Sequence, residues 1–301
     1  MNILLTGGTG FIGFNLSKKL LENNHKLMIL GVKTENSPIK GCKFLHLGFE
    51  NIDDYIKDTE CLFHLAANND TLDNDKEEMF RNNLYDPIKL FNKAYEKGCR
   101  KFIYASSTAI YGNQEGPFTE DTIPNPLNCY AESKLLFDEF AKKFNTEKGD
   151  VSIIGLRYCN IYGPNENHKN KRSSMIFQLY NEIKNNKKPK LFKYGEQKRD
   201  WCYVKDVVDA NIKCLSCNKS DIFNIANGKS VRFNELVNII NKKLNKNIEI
   251  EYITCDFLEK LQTNTECDIS KAKKILNWSP KYDIESGICD YIDELLFRTS
   301  L

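Results

Sequence analysis

No apolar run in this chain approaches the ~20 residues that a helix needs to cross a bilayer, so no membrane partner is expected. Strong charge of either sign is also missing. The formal net charge is +2, acids and bases alternate along the length, and no basic stripe for a nucleic acid stands out. Lysine-rich stretches such as KNKRSS (169–174) and NNKKPK (185–190) read as solvated loops. No secretion leader is expected either, because Met1-Asn2 runs directly into ILL (3–5) and a glycine turn. The eleven cysteines are scattered, which fits reduced thiols in a cytoplasm. Cys214 and Cys217 form the single close pair, with no second pair or histidine cluster to complete a metal site, so no metal is expected. There is no internal repeat and no low-complexity segment.

What is present is a regular alternation. Short apolar runs at 2–6, 26–30, 43–47, 61–66, 101–106 and 152–157 read as strands. Amphipathic stretches at 11–23, 76–97 and 130–145 read as helices between them. This pattern predicts an α/β fold: a doubly wound parallel sheet covered by helices on both faces. Beyond residue 160 the rhythm loosens. Helices are expected at 174–185 and 233–244, a loop at 163–174 and a strand at 248–253. The expected division is a dinucleotide-binding domain of residues 1–160 with parts of 200–228. A smaller C-terminal α/β lobe of residues 161–199 and 229–301 completes it.

TGGTGFIG (6–13) joins the first strand to the first helix. Gly7 permits the tight turn, Gly10 lets the backbone approach a pyrophosphate, and Gly13 lets helix and strand pack closely. The helix N-terminus then attracts the phosphates. The acid that bonds the ribose hydroxyls in NAD sites is missing at the end of the second strand, where Gly31-Val32-Lys33 stands. NAD or NADP therefore fits, with Gly31 and Lys33 tilting the choice toward NADP; Glu35 is the remaining candidate for the ribose.

CYAESK (129–134) places Tyr130 and Lys134 one helical turn apart. Together with TGGTGFIG, LFHLAA (62–67), the Asn83 region, FIYASSTAIYG (102–112), LRYCNIYGP (156–164), QKRDWCYVKDVVDA (197–210) and FNIANG (223–228), it resembles the extended short-chain dehydrogenase/reductases. Members of that family modify nucleotide-diphosphate sugars, and the likeness runs nearly end to end. It implies a tyrosine that exchanges a proton with a sugar hydroxyl while hydride moves to or from a nicotinamide. A free phenol has a pKa of about 10, so a nearby ammonium and the positive nicotinamide are expected to favour phenolate. Tyr130 is then the acid/base and Lys134 its tuning and ribose-binding partner. Ser107, by its spacing from Tyr111, is the catalytic hydroxyl, with Thr108 as the alternative.

The likeness also implies that Phe11, Ile12, Leu65, Ala66, Ala67, Asn83, Ala105 and Tyr158 surround the cofactor. Asn160 and Arg199 match substrate-binding positions, the guanidinium serving the diphosphate; its alternative partner is the adjacent Asp200. Asp206 is expected to cap the helix that follows it. The sugar 4,6-dehydratases of the family follow the catalytic hydroxyl with Asp-Glu, whereas here Thr108-Ala109 follows, so dehydration is not expected.

GPNENHKNKRSSM (163–175) resembles the loop of ADP-glycero-manno-heptose 6-epimerases. There a lysine serves as a second acid/base, and Lys169 is the matching position with His168 beside it. A basic loop that holds phosphate is the alternative. The expected activity is a nucleotide-diphosphate-sugar epimerase using transient oxidation to a ketosugar and a retained cofactor. A one-way dehydrogenase or ketosugar reductase and a non-catalytic NADP-binding protein are the rivals. The resemblance further implies a homodimer through helices 83–97 and 130–145, with Leu84, Ile88, Leu135 and Phe137 as candidate contacts.

Overall fold

The computed structural model describes residues 1–31, 39–46, 52–71, 73, 75–254 and 264–299. The first half follows the alternation closely. β1 (Asn2–Thr6) leads through the glycine turn into α1 (Phe11–Glu22), then β2 (Lys26–Gly31) and β3 (Lys43–His46). A short α2 (Asp53–Ile56) precedes β4 (Cys61–His64). After β4 come α3 (Lys76–Phe80), a π-helical turn (Arg81–Tyr85) and α4 (Asp86–Glu96). β5 (Lys101–Ser107), α5 (Cys129–Lys148) and β6 (Ser152–Tyr158) complete this half.

The single helix expected over 76–97 is therefore interrupted. Pro87 has no N–H to give to the carbonyl of Asn83, and its ring would crowd that carbonyl in a regular turn. The wider π turn accommodates both. It also turns the buried Asn83 inward, where its amide nitrogen donates to Asn68 O (2.8 Å) and its Oδ1 accepts from Asn68 N (2.8 Å).

The second half contributes β7 (Asn160–Tyr162), α6 (Met175–Lys184), β8 (Lys190–Phe192), β9 (Lys198–Tyr203) and α7 (Val204–Cys214). β10 (Asp221–Ile225), β11 (Ser230–Arg232), α8 (Phe233–Leu244), β12 (Glu251–Ile253), α9 (Ser270–Leu276) and α10 (Ile284–Thr299) follow. The strand expected over 248–253 is confined to β12, and the loop at 163–174 contains a 3₁₀ turn over Asn167–Arg172.

The main sheet has the order β10-β6-β5-β4-β1-β2-β3, and every pair is parallel. Strand order reverses between β1 and β4, which opens a crevice at their carboxyl ends. Both faces are covered. Leu5, Leu16, Ile29, Val207 and Phe223 share one core, while Phe91, Phe102, Phe137 and Phe144 build an aromatic core on the other face. Two smaller sheets, β11-β9-β7 and β12-β8, pack with α6, α8 and α10 around a third core that includes Trp201, Phe233 and Tyr291.

Two expectations change here. Leu84 and Phe137, candidate dimer contacts, are buried in the chain's own aromatic core, whereas Ile88 and Leu135 stay half-buried. Asp206 does not cap α7. It lies in the first turn of that helix and accepts from the backbone N–H groups of Lys281 (2.9 Å) and Tyr282 (3.2 Å), latching the segment before α10. Among the described residues no His/Cys/Asp/Glu group could hold a metal ion, and no helix is long and apolar enough to cross a membrane.

Candidate active site

The crevice is a cleft of about 1220 Å³ bounded by the glycine turn, the ends of β4 and β5, the start of α5 and the 163–174 loop. On its first wall, Gly7 has φ +72, and a Cβ there would lie 2.6 Å from Ala66 N. A Cβ on Gly13 would lie 2.0 Å from Gly7 O, so the turn closes only with hydrogen at both positions. Gly10 is the N-cap of α1 and supplies no capping side chain, and no acid sits in the first turn. The positive pole of α1 therefore faces the cleft uncompensated.

Leu65, Ala66 and Ala67 form the opposing wall, and Phe11, Ile12, Gly31, Ala105 and Tyr158 also line the cleft. Ser106 Oγ is buried on the same surface without a protein partner. The glycine cradle, the open helix N-terminus and this spare hydroxyl fit a dinucleotide. Lys33 and Glu35 lie outside the described residues. Asn83 does not line the cleft but holds the Asn68 loop beside it.

A buried pair supports that wall in a way the sequence did not signal. Thr6 Oγ1 accepts from Ala66 N (3.2 Å) and meets His64 Nδ1 at 2.8 Å. Burial, aided by the Lys134 charge, lowers the His64 pKa to about 3, so the ring that shares this hydrogen bond is neutral.

The catalytic candidates converge where β5 meets α5. Asn128 caps α5 by accepting from Ala131 N (2.9 Å), which fixes Tyr130 in the first turn. Ser107 Oγ accepts from Ala109 N (3.1 Å), which leaves its own proton free for the Tyr130 oxygen. Thr108 is the weaker alternative, because its hydroxyl is turned to Tyr158 O (3.3 Å) and does not line the cleft.

Burial pushes the Tyr130 phenol up, and the Ser107 hydrogen bond draws it down. The Lys134 ammonium lies 5.9 Å from the Tyr130 ring centroid and donates to Ala105 O at 2.9 Å. Burial lowers Lys134 to about 8, opposed by Asp138. Among the chain's own groups, burial outweighs the serine and holds the phenol above its ordinary value.

Lys169 enters the same cleft from the 163–174 loop, with Nζ 5.2 Å from the Phe11 ring centroid. Backbone at His168 belongs to the same 3₁₀ turn, and its side chain is outside the described residues. Asn160 and Arg199 stand apart from the cleft lining, on β7 and β9. The Asn160 amide donates to Thr265 Oγ1 (2.9 Å) and Asp200 O (3.2 Å). The Arg199–Asp200 ion pair does not form. Asp200 instead accepts from the backbone N–H groups of Asn227 (2.7 Å), Gly228 (2.9 Å) and Cys267 (3.3 Å). Arg199 donates to Lys198 O (2.8 Å) and lies over the Phe233 ring, and burial lowers its pKa to about 10. An anion would relieve that cost.

Such a site, a glycine cradle beside a serine, tyrosine and lysine on a doubly wound sheet, defines a nicotinamide-dependent oxidoreductase type. Residues 3–226 match the NAD dependent epimerase/dehydratase family. The chain is 35% identical to an ADP-L-glycero-D-manno-heptose-6-epimerase of Brachyspira hyodysenteriae, with 97% of each chain covered. The crystal structure of the Helicobacter pylori ADP-L-glycero-D-manno-heptose-6-epimerase superposes with a TM-score of 0.89 at 32% identity, covering 98% of this chain and 96% of that one. A UDP-glucose 4-epimerase from Thermotoga maritima, solved with UDP-glucose, superposes with a TM-score of 0.90 at 28% identity, covering 100% and 99%. The chain belongs to the NAD-dependent epimerase/dehydratase family of extended short-chain dehydrogenase/reductases. The nucleotide-sugar epimerase expected from the sequence agrees with these relatives.

Proposed function

We propose that the chain epimerises an ADP-linked heptose by transient oxidation and re-reduction. The observation that carries this is the position of Lys169, which faces the same cleft as Tyr130 although the two come from different lobes. Two proton-exchanging groups around one sugar can serve opposite faces of a carbonyl carbon. The likeness to two heptose epimerases supports the substrate class.

A nicotinamide held in this cleft would supply reversible hydride exchange with the sugar carbon and a positive charge that favours phenolate. In the oxidative half, Tyr130 takes the hydroxyl proton while Ser107 holds the sugar oxygen. After the ketosugar presents its other face, Lys169 gives a proton to the oxygen as the carbon regains hydride. Arg199 holds the diphosphate through its planar fork. Lys134, bonded to Ala105 O, positions the cofactor ribose.

The lobes divide this work: residues 1–160 with parts of 200–228 hold the cofactor, and 161–199 with 229–301 hold the nucleotide sugar. Within the NAD-dependent family we also propose a preference for NADP, from the uncharged Gly31 at the cleft. Fluorescence titration with both cofactors tests it, and tighter NAD⁺ binding overturns it. A homodimer using the α4–α5 face is proposed as well, and a sedimentation mass of one chain at micromolar concentration rejects it.

The central test is incubation with ADP-glycero-manno-heptose, followed by NMR. Interconversion of the C6 epimers without net nicotinamide reduction is expected. Net reduction or oxidation with turnover would replace the proposal by a one-way dehydrogenase or reductase.

A further inference from the structure

The 163–174 loop is held by a residue that no sequence motif above assigned. Glu166 is fully buried. Its Oε1 accepts from Gly163 N (3.1 Å) and from Ser174 Oγ (2.9 Å), and its Oε2 accepts from Ser174 N. Gly163 is the residue after β7, and Ser174 is the N-cap of α6, where its Oγ also accepts from Phe177 N (3.2 Å). One carboxylate therefore ties together the two ends of the loop. Its own carbonyl accepts from Lys169 N (2.9 Å), which starts the turn that carries Lys169 to the cleft.

A buried carboxylate is a costly tie. A glutamine could accept from only one side, because its amide nitrogen would meet the N–H of Gly163 or Ser174 head-on. A second use for the charge stands within the same turn. Lys169 has no carboxylate ion pair among the described residues, and burial lowers its pKa while Glu166 raises it. Burial raises the Glu166 pKa, and the three loop hydrogen bonds and Lys169 oppose that rise. Phe11 of α1 lies 5.2 Å from the ammonium, Lys134 and the Tyr130 phenol of α5 share its cleft with Glu78 and Asp86, and Arg172 on its own loop is paired with Asp70 at 2.7 Å. Among the described residues, Glu166 is the carboxylate whose charge acts on it.

We propose that Glu166 is the positioning residue for Lys169, fixing the loop that presents the ammonium and keeping that ammonium protonated as a proton donor to the sugar. The proposal rests on the reading of Lys169 as the second acid/base. It adds a carboxylate on which that role depends, without contact to the sugar.

The test separates the two. Competitive acetylation of Lys169 with acetic anhydride across pH, read by mass spectrometry, reports its protonation without any substrate. In Glu166→Gln the labelling midpoint moves to lower pH, whereas Glu166→Asp, which keeps the charge, leaves it near the parent value. The alkaline limb of ADP-glycero-manno-heptose epimerisation moves with the midpoint in Glu166→Gln. A midpoint and limb unchanged in a folded Glu166→Gln protein overturn the proposal. Lys169→Met checks the underlying reading: epimerisation falls roughly 10²–10⁴-fold while nicotinamide reduction by the sugar persists. If Lys169→Met epimerises normally, that reading fails, whatever the labelling shows for Glu166.

Discussion

Asp138, one turn beyond Lys134 on α5, accepts a 3.0 Å hydrogen bond from Arg157 Nε in the interior behind the catalytic helix. Both side chains are almost fully buried, at 1% and 3% exposure. Tyr104 OH donates to the other carboxylate oxygen (2.9 Å), and Arg157 Nη1 donates to Tyr111 OH (2.9 Å) and Glu120 O (3.0 Å). The network anchors β5, β6 and α5 to one another directly behind the site. Asp138→Asn leaves a buried guanidinium uncompensated, so a loss of about 3–5 kcal/mol is expected in urea unfolding at neutral pH. Replacing both residues by apolar ones of similar volume is expected to recover much of that loss. Equal stability of the single and double variants would contradict this account.

Tyr130→Phe keeps the ring that packs against the aromatic core and removes the proton-exchanging oxygen. Turnover should fall by roughly 10²–10⁴-fold, with dinucleotide affinity within a small factor of the parent. Ser107→Ala should lower turnover in the same direction and raise the apparent pKa of its acidic limb, since the serine hydrogen bond draws the phenol down. Rate–pH profiles of the three proteins decide this.

His64 links stability to acid. Its folded pKa of about 3 lies below the ordinary 6.5, so the unfolded chain binds the extra proton between those values. Its contribution is complete above pH 6.5 and is lost progressively as pH falls toward 3, by up to about 1.4 kcal/mol per pH unit. Urea midpoints of the parent and His64→Gln, compared between pH 7 and about 5, should converge as the pH drops. A constant difference would remove His64 from the account.

Gly13→Ala tests the cradle. The new methyl would sit 2.0 Å from Gly7 O, and neither backbone segment can yield without opening the turn. Loss of dinucleotide binding by isothermal titration, with destabilisation of roughly 1–3 kcal/mol, is expected.

The amino-acid sequence by itself determined the parallel sheet and the glycine turn, and through its family resemblance it pointed to Ser107, Tyr130 and Lys134 as candidates. The sheet and the turn are encoded locally, by apolar strand runs and by residues that alone tolerate the turn. Only the tertiary structure decided the rest. It brought Lys169 against Phe11, set Asp200 on three backbone amides instead of Arg199, turned Thr108 away, and buried Leu84 and Phe137 inside the chain. Glu166 and His64 sit inside stretches that carry the resemblance but gained no role from it, because their partners lie at loop ends or on another strand. The phenol's own pKa follows the same division. Spacing brings an ammonium near Tyr130, but burial, a property of the folded interior, sets the direction of the shift.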